Sequence, residues 1–451
     1  MDPLALSEIA EMCGGSTPAL HPEVEVTRIS KDTRTLEPGE LYLAIKGDRF
    51  DGNQYIGEAA AKGAAAAIVD DPSAAVPPGF PVIQVRDSVQ ALGSLAAAWR
   101  AQLPLKVVCV SGSNGKTSTK DFTAAVLSSR FRTIKTRGNL NNQIGLPLSI
   151  LDASRSDAAA VWEAGMNHVG EIAPLAALAA PSVGIITNIG VAHIEHLGSR
   201  EAIAVEKGML FEALPAGGTA ILPADCDFGS TLAARTRARV IFTGGPDSAI
   251  RAEDIRISSE GTGFILVADG ESLPVSLRVP GSHMVSNALL AVAAGLALGL
   301  SPSECAAGLC EARITGGRLA RREVRGVVML DDTYNANPDS VVAALGVLAQ
   351  LPCPGRRIAV LGAMGELGAH AAEGYRKVGL AAASSAGVLL AVGAATAPMT
   401  AAARGAGLTE VIEVETPEEA AGFLRQFAIE GDLVLVKGSR SSKMEDVIQN
   451  F

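Results

Sequence analysis

VVCVSGSNGKTSTK, Val107 to Lys120, decides how the rest of this chain is read. The apolar run Leu105 to Val110 predicts a buried strand. It breaks into Ser111-Gly112-Ser113-Asn114-Gly115-Lys116-Thr117, and a helix-compatible segment follows from Ser118 to Ser129. Strand, glycine loop and helix in that order form a phosphate-binding loop. Glycines let backbone N–H groups turn inward around an anion, and the start of the new helix adds positive potential. Lys116 would reach the terminal phosphates of a nucleotide, and the Thr117 hydroxyl would ligate Mg²⁺. The common form of the motif places four residues between its glycines, whereas Gly112 and Gly115 enclose two. The bland alternative is a glycine-rich turn with a solvated lysine.

Working outward, 451 residues suggest about three domains. At 48% hydrophobic and 19% charged, the chain can bury several cores and is not disordered. The net charge of −10 and 4% aromatics argue against a general nucleic-acid partner. Met1-Asp2-Pro3 opens no signal-peptide pattern. Val285 to Leu300 and Gly379 to Pro398 are free of charge, but the first is short for a span and the second is rich in Ala, Gly and Ser. No membrane insertion is expected. Six cysteines without a CxxC pair suit free thiols in a reducing cytoplasm. Nothing points to an obligate oligomer, so a monomer is expected.

The pattern predicts an α/β protein of three domains, at 1–102, 103–314 and 315–451. The first is a small α/β unit. Strands are expected at Val24 to Ile29, Leu41 to Ile45, Ala64 to Val69 and Val82 to Val85, with helices from Gln54 to Lys62 and Ser88 to Ala101. Two basic loops, around Thr33-Arg34 and from Lys46-Gly47 to Gly52, could hold an anion or be solvated turns. The second domain carries the phosphate loop and a mostly parallel sheet. It includes an asparagine-rich loop, Gly138 to Pro147, and strands at Ala158 to Trp162 and Val183 to Thr187. After Pro215, short strands alternate with turns up to Val279, and helices follow at Val285–Leu298 and Ser301–Ala312. The third domain reads as a Rossmann-like parallel sheet, with strands at Val327–Leu330, Arg357–Leu361, Val388–Val392 and Leu433–Val436. Pro338 suits a helix start, and Thr416-x-x-Glu419 predicts a capping box. No GxGxxG opens a helix, so no nicotinamide cofactor is indicated.

Three successive strands of the second domain end in polar loops: the phosphate loop, Glu163 to His168, and Asn188 to His196. Ligands gather at the carboxyl ends of strands in such sheets, which predicts one shared site. His193 and His196 have H-x-x-H spacing, and zinc is conceivable. With a phosphate loop nearby, Mg²⁺ on carboxylate and water is preferred. Lys207, beside Glu206 in a helix from Ala202 to Leu214, reads as a solvated face residue. Asp332 is either a ribose contact or a strand-end turn. Arg318, after two glycines, is either a surface arginine or a charge brought to the phosphates by domain closure.

The motifs GSNGKTSTK, GNLNNQIGLPL, EAGMNHVGEI, TNIGVAHIEHLGS, VEKGMLFEAL, GSHMVSNALLA, DDTYNANPDS and GAMGELG occur in this order. Together they resemble the Mur ligases of peptidoglycan synthesis, over nearly the whole chain. The shortened phosphate loop is that family's own form. DDTYNANPDS and LYLAIKGDRFDG resemble its D-alanyl-D-alanine-adding branch. The resemblance implies an ATP- and Mg²⁺-dependent amide ligation, with UDP-N-acetylmuramoyl-tripeptide and D-alanyl-D-alanine as substrates. The reaction would pass through an acyl phosphate. By the same resemblance Gly112, Ser113, Asn114, Gly115, Lys116, Thr117 and Ser118 hold the ATP phosphates. His283 and Asn287 meet the adenine, Asp332 the ribose, and Asn335 lies in the nucleotide site. Arg318 lies near the γ-phosphate. Thr117, Glu163, His193 and a carbamylated Lys207 are implied metal ligands. Thr33, Arg34, Lys46, Gly47, Asn139 and Asn142 are implied contacts to the UDP-sugar peptide, and Asn337 and the Glu366 loop would help bind nucleotide and dipeptide. The chain departs from the family at Asn53, where DGH is usual, and at Thr33, where serine is common.

Overall fold

Parallel strands dominate this computed structural model, which describes residues 1–17, 24–47 and 50–451. Asp48 and Arg49 of the predicted basic loop lie outside the described residues. The chain divides into two units: 1–109, 131–165 and 171–182, and then 110–130, 166–170 and 183–451.

In the first unit, β1 (Leu4–Ala5) pairs antiparallel with β2 (Glu25–Val26). β3 (Ile29–Ser30), β4 (Leu41–Leu43), β5 (Ala66–Val69) and β6 (Val82–Gln84) form a parallel sheet in that order. The single strand expected over Val24 to Ile29 is therefore two short strands in two sheets. The Ser88–Ala101 helix has the predicted bounds. Asp87 caps it by accepting from the N–H groups of Val89 and Gln90, as a cap carboxylate should. Its expected stripe of Leu92, Leu95, Ala96 and Trp99 is fully buried, and Trp99 Nε1 donates to the Ala153 carbonyl at 3.0 Å. β7 (Lys106–Ser111) runs from this unit into the next. β8 (Thr133–Lys135) pairs parallel with β9 (Ala159–Glu163). The asparagine-rich loop is shorter than expected, because a helix already begins at Gly145 and runs to Leu151.

In the second unit, β10 (Val183–Ile186), β11 (Thr219–Pro223) and β12 (Arg239–Thr243) are parallel neighbours. The strands after Pro215 were expected to alternate only with turns. Instead a helix, Gly229–Ala233, joins β11 to β12. The antiparallel meander is confined to β13 (Arg251–Ser258), β14 (Gly261–Ala268) and β15 (Glu271–Leu277), with a register shift between Glu253 and Arg256. A buried helix, Ser282–Ala297, and a capped one, Pro302–Glu311, follow.

The last sheet comprises β16 (Ala320–Val324), β17 (Val327–Asp332), β18 (Arg357–Leu361), β19 (Val388–Val392), β20 (Glu410–Val414) and β21 (Leu433–Lys437). They are ordered β16-β17-β21-β18-β19-β20. Every pair is parallel except β16–β17, so helices must cross over between strands and cover both faces. Thr416 accepts from Glu419 N–H, but the Glu419 carboxylate takes the Glu415 N–H instead of closing the box. Among the described residues no helix is long and apolar enough to cross a membrane. All six cysteines are free.

Asp432, immediately before β21, is fully buried. Arg356 donates its backbone N–H to Oδ1 at 2.8 Å and its guanidinium to Oδ2 at 2.7 Å, and Ile429 N–H donates to Oδ2 at 3.1 Å. Truncating the carboxylate leaves two N–H groups without this acceptor and takes one partner from a guanidinium that keeps the Phe427 carbonyl, and hydrogen bonds to charged groups contribute about 1.5–3 kcal/mol. Asp432→Ala is expected to lower unfolding free energy by about that amount in a denaturant titration, whereas the exposed Arg321–Glu323 pair should contribute less than about 1 kcal/mol.

Candidate active site

The phosphate loop joins β7 to the Lys116–Ser128 helix. Gly112 has φ +143° and Gly115 +79°, conformations that side chains disfavour. A Cβ on Gly112 would collide with Thr187 Oγ1, and one on Gly115 would lie 2.6 Å from Asn287 Oδ1. Only glycine fits either place. The segment after β10 ties the loop down. Ser113 N–H donates to the Asn188 carbonyl at 3.0 Å, Asn114 N–H donates to Asn188 Oδ1 at 2.9 Å, and Thr187 Oγ1 donates to the Asn114 carbonyl at 2.5 Å. Lys116 Nζ donates to the carbonyls of Gly112 and Ser113 at 2.9 and 3.3 Å. No side chain caps the helix at Gly115, and its N-terminal end carries the positive pole of the helix dipole. A rigid glycine backbone, an uncapped helix start and a lysine on the loop fit nucleotide phosphates.

Arg318 belongs to this site. Its Nη2 donates to Thr117 Oγ1 at 3.0 Å, and its guanidinium stacks 4.1 Å from the Tyr334 ring. The preceding segment is anchored, since Thr315 donates through N–H and Oγ1 to Asp121 Oδ2 at 2.8 and 2.7 Å. The sequence left open whether Arg318 is a surface arginine; it lies on the phosphate loop's threonine.

The pairing of β17 with β21 sets Asp332 opposite Lys437. Their side chains form an ion pair at 2.6 Å, and Lys437 Nζ also donates to the Asn335 carbonyl at 2.9 Å. Lys437 is a site residue that the sequence motifs do not mark. Its only signal is a lysine closing an apolar strand, and its near-complete burial decides its importance. His283 lies close enough to feel both charges; burial pushes its imidazole below the ordinary value, and Lys437 adds to that while Asp332 opposes it.

His193 adopts φ +62° at the start of the Ile194–Leu197 helix. Its Nδ1 is 2.6 Å from Glu366 Oε2, close enough for an ion pair but not aligned as a hydrogen bond. The imidazole holds the Glu366 carboxyl below its usual range. His196 instead packs its ring 4.6 Å from that of His168. The H-x-x-H pair thus turns to two different partners. Among the described residues no group of three or more His, Cys, Asp or Glu is set out to hold a metal. Mg²⁺ needs no such cage, since it keeps waters and phosphate oxygens as ligands.

In the first unit, Glu163 is buried at the end of β9. Its N–H donates to Thr136 Oγ1 at 3.0 Å, and its Oε1 accepts from Asn141 Nδ2 at 2.8 Å. Asn141, which the motifs did not single out, is the asparagine that reaches this carboxylate. Asn142 Oδ1 accepts from Ile144 and Gly145 N–H at 3.2 and 2.9 Å, starting a helix, while Asn139 is exposed. Arg34 is exposed and paired with Asp32 at 2.6 Å, which holds that carboxyl at about 2. Thr33 is buried, and its carbonyl accepts from Lys62 Nζ at 2.7 Å. Lys46 is exposed, 3.9 Å from Asp51, and Gly47 N–H closes the loop on the Phe50 carbonyl at 2.8 Å. Asn53, the departure from DGH, is buried and bridges Asp51 and Asp70 at 2.9 and 2.8 Å.

Three family models span most of the chain: "Mur ligase family, catalytic domain" over residues 25–100, "Mur ligase middle domain" over 110–295, and "Mur ligase, glutamate ligase domain" over 317–440. The UDP-N-acetylmuramoyl-tripeptide–D-alanyl-D-alanine ligase of Escherichia coli is 36% identical, covering 99% of this chain and 98% of that protein. The chain belongs to the Mur ligase family. Among solved Mur ligase structures, MurF from Acinetobacter baumannii matches with a TM-score of 0.90 at 32% identity, covering 100% of this chain and 99% of that one. MurF from Thermotoga maritima in complex with ADP matches at 0.82 and 28% identity, covering 94% and 96%.

Lys207 corrects the reading of this Mur ligase as carrying a solvated helix lysine there. The Arg200–Glu212 helix buries Ile203, Ala204, Glu206, Lys207, Gly208, Leu210 and Phe211, and Lys207 is 0% exposed. Burial, reinforced by the charge of Lys116 and opposed by Glu206, pushes its ammonium well below the ordinary value. Burial at this position thus disfavours the ammonium form.

The depressed value also fixes a sign. Between the folded value and the ordinary 10.5, the unfolded chain binds a proton that the folded chain does not. Stability from this group is therefore full above 10.5 and lost as pH falls toward the folded value. In bicarbonate-free buffer, Lys207→Met should be more stable than the parent by about 1–3 kcal/mol at about pH 7, with the gap narrowing toward about pH 10 in thermal melts. The same variant should lose turnover.

Proposed function

We propose that this chain is an ATP-dependent ligase joining D-alanyl-D-alanine to UDP-N-acetylmuramoyl-tripeptide, a step in making the peptidoglycan precursor. The observation that carries this reading is end-to-end likeness to the E. coli ligase of that name. A carboxylate is a poor acylating agent. Transfer of the γ-phosphoryl group of ATP to the tripeptide carboxylate releases ADP and gives an acyl phosphate. The dipeptide amine then attacks its carbonyl, and the tetrahedral intermediate collapses with loss of phosphate and a proton. Gly112 to Ser118 would cradle the phosphates. Lys116 and Arg318 would balance the charge on the transferring group, where positioning and electrostatics supply most of the catalysis.

Mg²⁺ bound with the nucleotide would neutralise phosphate charge; Thr117, Glu163, His193 and a Lys207 carbamate are the residues assigned to it. His283 and Asn287 are assigned to adenine, and Asp332, braced by Lys437, to ribose, with Asn335 beside it. Thr33, Arg34, Lys46, Gly47, Asn139 and Asn142 are assigned to the UDP-sugar peptide. The family-model spans fall within 1–102, 103–314 and 315–451, which we take as the domains. Free cysteines and nucleotide-linked substrates support a cytoplasmic location, and a monomer is our working assignment.

Phosphate release is expected only when ATP, UDP-N-acetylmuramoyl-tripeptide and D-alanyl-D-alanine are all present. Full turnover with single D-alanine would make the protein a one-residue ligase of the same family. Steady hydrolysis without any acceptor would replace ligation with a nucleotide switch.

A further inference from the structure

The DDTYNANPDS segment contains Asp332 and Asn335, assigned above to nucleotide. Its far end does something different. Asn337 caps the Pro338–Gln350 helix, with Oδ1 accepting from Ser340 N–H at 3.0 Å. That bond uses only the amide oxygen. The amide nitrogen, Nδ2, donates to Oδ1 of Asn114 in the phosphate loop at 2.7 Å. With this contact the backbone and Oδ1 of Asn114 all have partners, since the backbone is held by Thr187 and Asn188.

Two residues on, Asp339 reaches the other loop of the site. Its Oδ2 accepts from Val191 N–H at 3.2 Å, and its Oδ1 pairs with Lys377 Nζ at 2.8 Å. A Cβ on Gly190 would lie 2.6 Å from Asp339 Oδ2, so the approach needs a glycine there. Gly190 N–H in turn donates to Ser113 Oγ at 2.9 Å. The same loop carries His193 two residues after Val191. The first turn of a helix also favours a carboxylate at Asp339.

We propose that Asn337 and Asp339 are positioning residues that set the geometry of the phosphate loop and of the His193 loop from the third domain. One helix start grips both loops: Asn337 through Asn114, and Asp339 through Gly190 and Val191. Docking of the third domain therefore completes the nucleotide site even though neither side chain touches a reacting atom. The proposal rests on the nucleotide half of the function above and not on the identity of the acceptor.

The test separates the two. Titrating ADP alone into the full-length protein reads the nucleotide site without either ligation substrate. Asn337→Asp keeps the helix cap and removes the donor to Asn114 but adds a negative charge, so Asn337→Ser, which adds none, is measured beside it. Asp339→Asn keeps the shape and weakens acceptance from Val191. Lys377→Met removes only the outer ion pair and serves as the control. Loss of one well-placed hydrogen bond corresponds to roughly tenfold in affinity. Both Asn337→Asp and Asp339→Asn should weaken ADP binding roughly tenfold and raise the ATP KM in step. The KM for the muramoyl peptide should stay unchanged, and Lys377→Met should bind as the parent does. Unchanged ADP affinity in both variants overturns the proposal. So does a drop in thermal stability with all KM values shifted alike, which marks a purely structural contact. If Asn337→Asp does not fold, Asn337→Ser retains a cap oxygen and is read the same way. If ADP binds but no acceptor supports phosphate release in the parent, the ligase reading fails while this proposal stands.

Discussion

The backbone of Gly112 to Gly115 has no room for a side chain at either glycine, and this constraint organises the site. Thr187 and Asn287 pack where Cβ atoms would stand. Because the loop cannot relax into them, its backbone, with the Ser113 and Asn114 N–H groups held by Asn188, and the start of the Lys116–Ser128 helix keep one arrangement. A backbone fixed in this way needs little reorganisation during reaction. Three other parts of the second unit's site are fastened to this frame: Arg318 through Thr117, Asn337 through Asn114, and the His193 loop through Ser113.

Charge follows from that frame. Lys116 and Arg318 both lie on the loop, and Lys116 is near enough to Lys207 to depress its pKa. Nearby acids are already engaged. Asp121 holds Thr315, Asp332 holds Lys437, and Glu366 faces His193. A region with fixed cations and committed carboxylates is complementary to a polyphosphate. It also disfavours the ammonium form of Lys207, which would be both buried and repelled by Lys116.

Much of this was legible in the sequence. The period of the Ser88–Ala101 helix, the bounds of β18 and β19, and the glycine loop between strand and helix follow from local pattern. What local pattern could not carry was burial and partner choice across long separations. Lys207 sits beside Glu206 in a helix that also carries Arg200, Glu201 and Glu212, and so reads as solvated; only tertiary packing on both sides of that helix buries it. Asn141 rather than its neighbours reaches Glu163 because a helix begins at Gly145 and takes Asn142 to start it. Lys437 and Asp339 lie 105 and 148 residues from their partners Asp332 and Val191, and no spacing rule links them. Val24 to Ile29 reads as one strand because apolar alternation says nothing about a change of sheet in mid-run.

The proposed function turns most on Lys207, a buried lysine whose ammonium form is disfavoured by burial and by Lys116, and which we propose takes up CO₂. Carbon-13 NMR of the protein equilibrated with labelled bicarbonate tests this directly. A protein-bound carbamate resonance is predicted, present in the parent and absent in Lys207→Met. Identical spectra for parent and variant, with no bound carbamate in either, would contradict it.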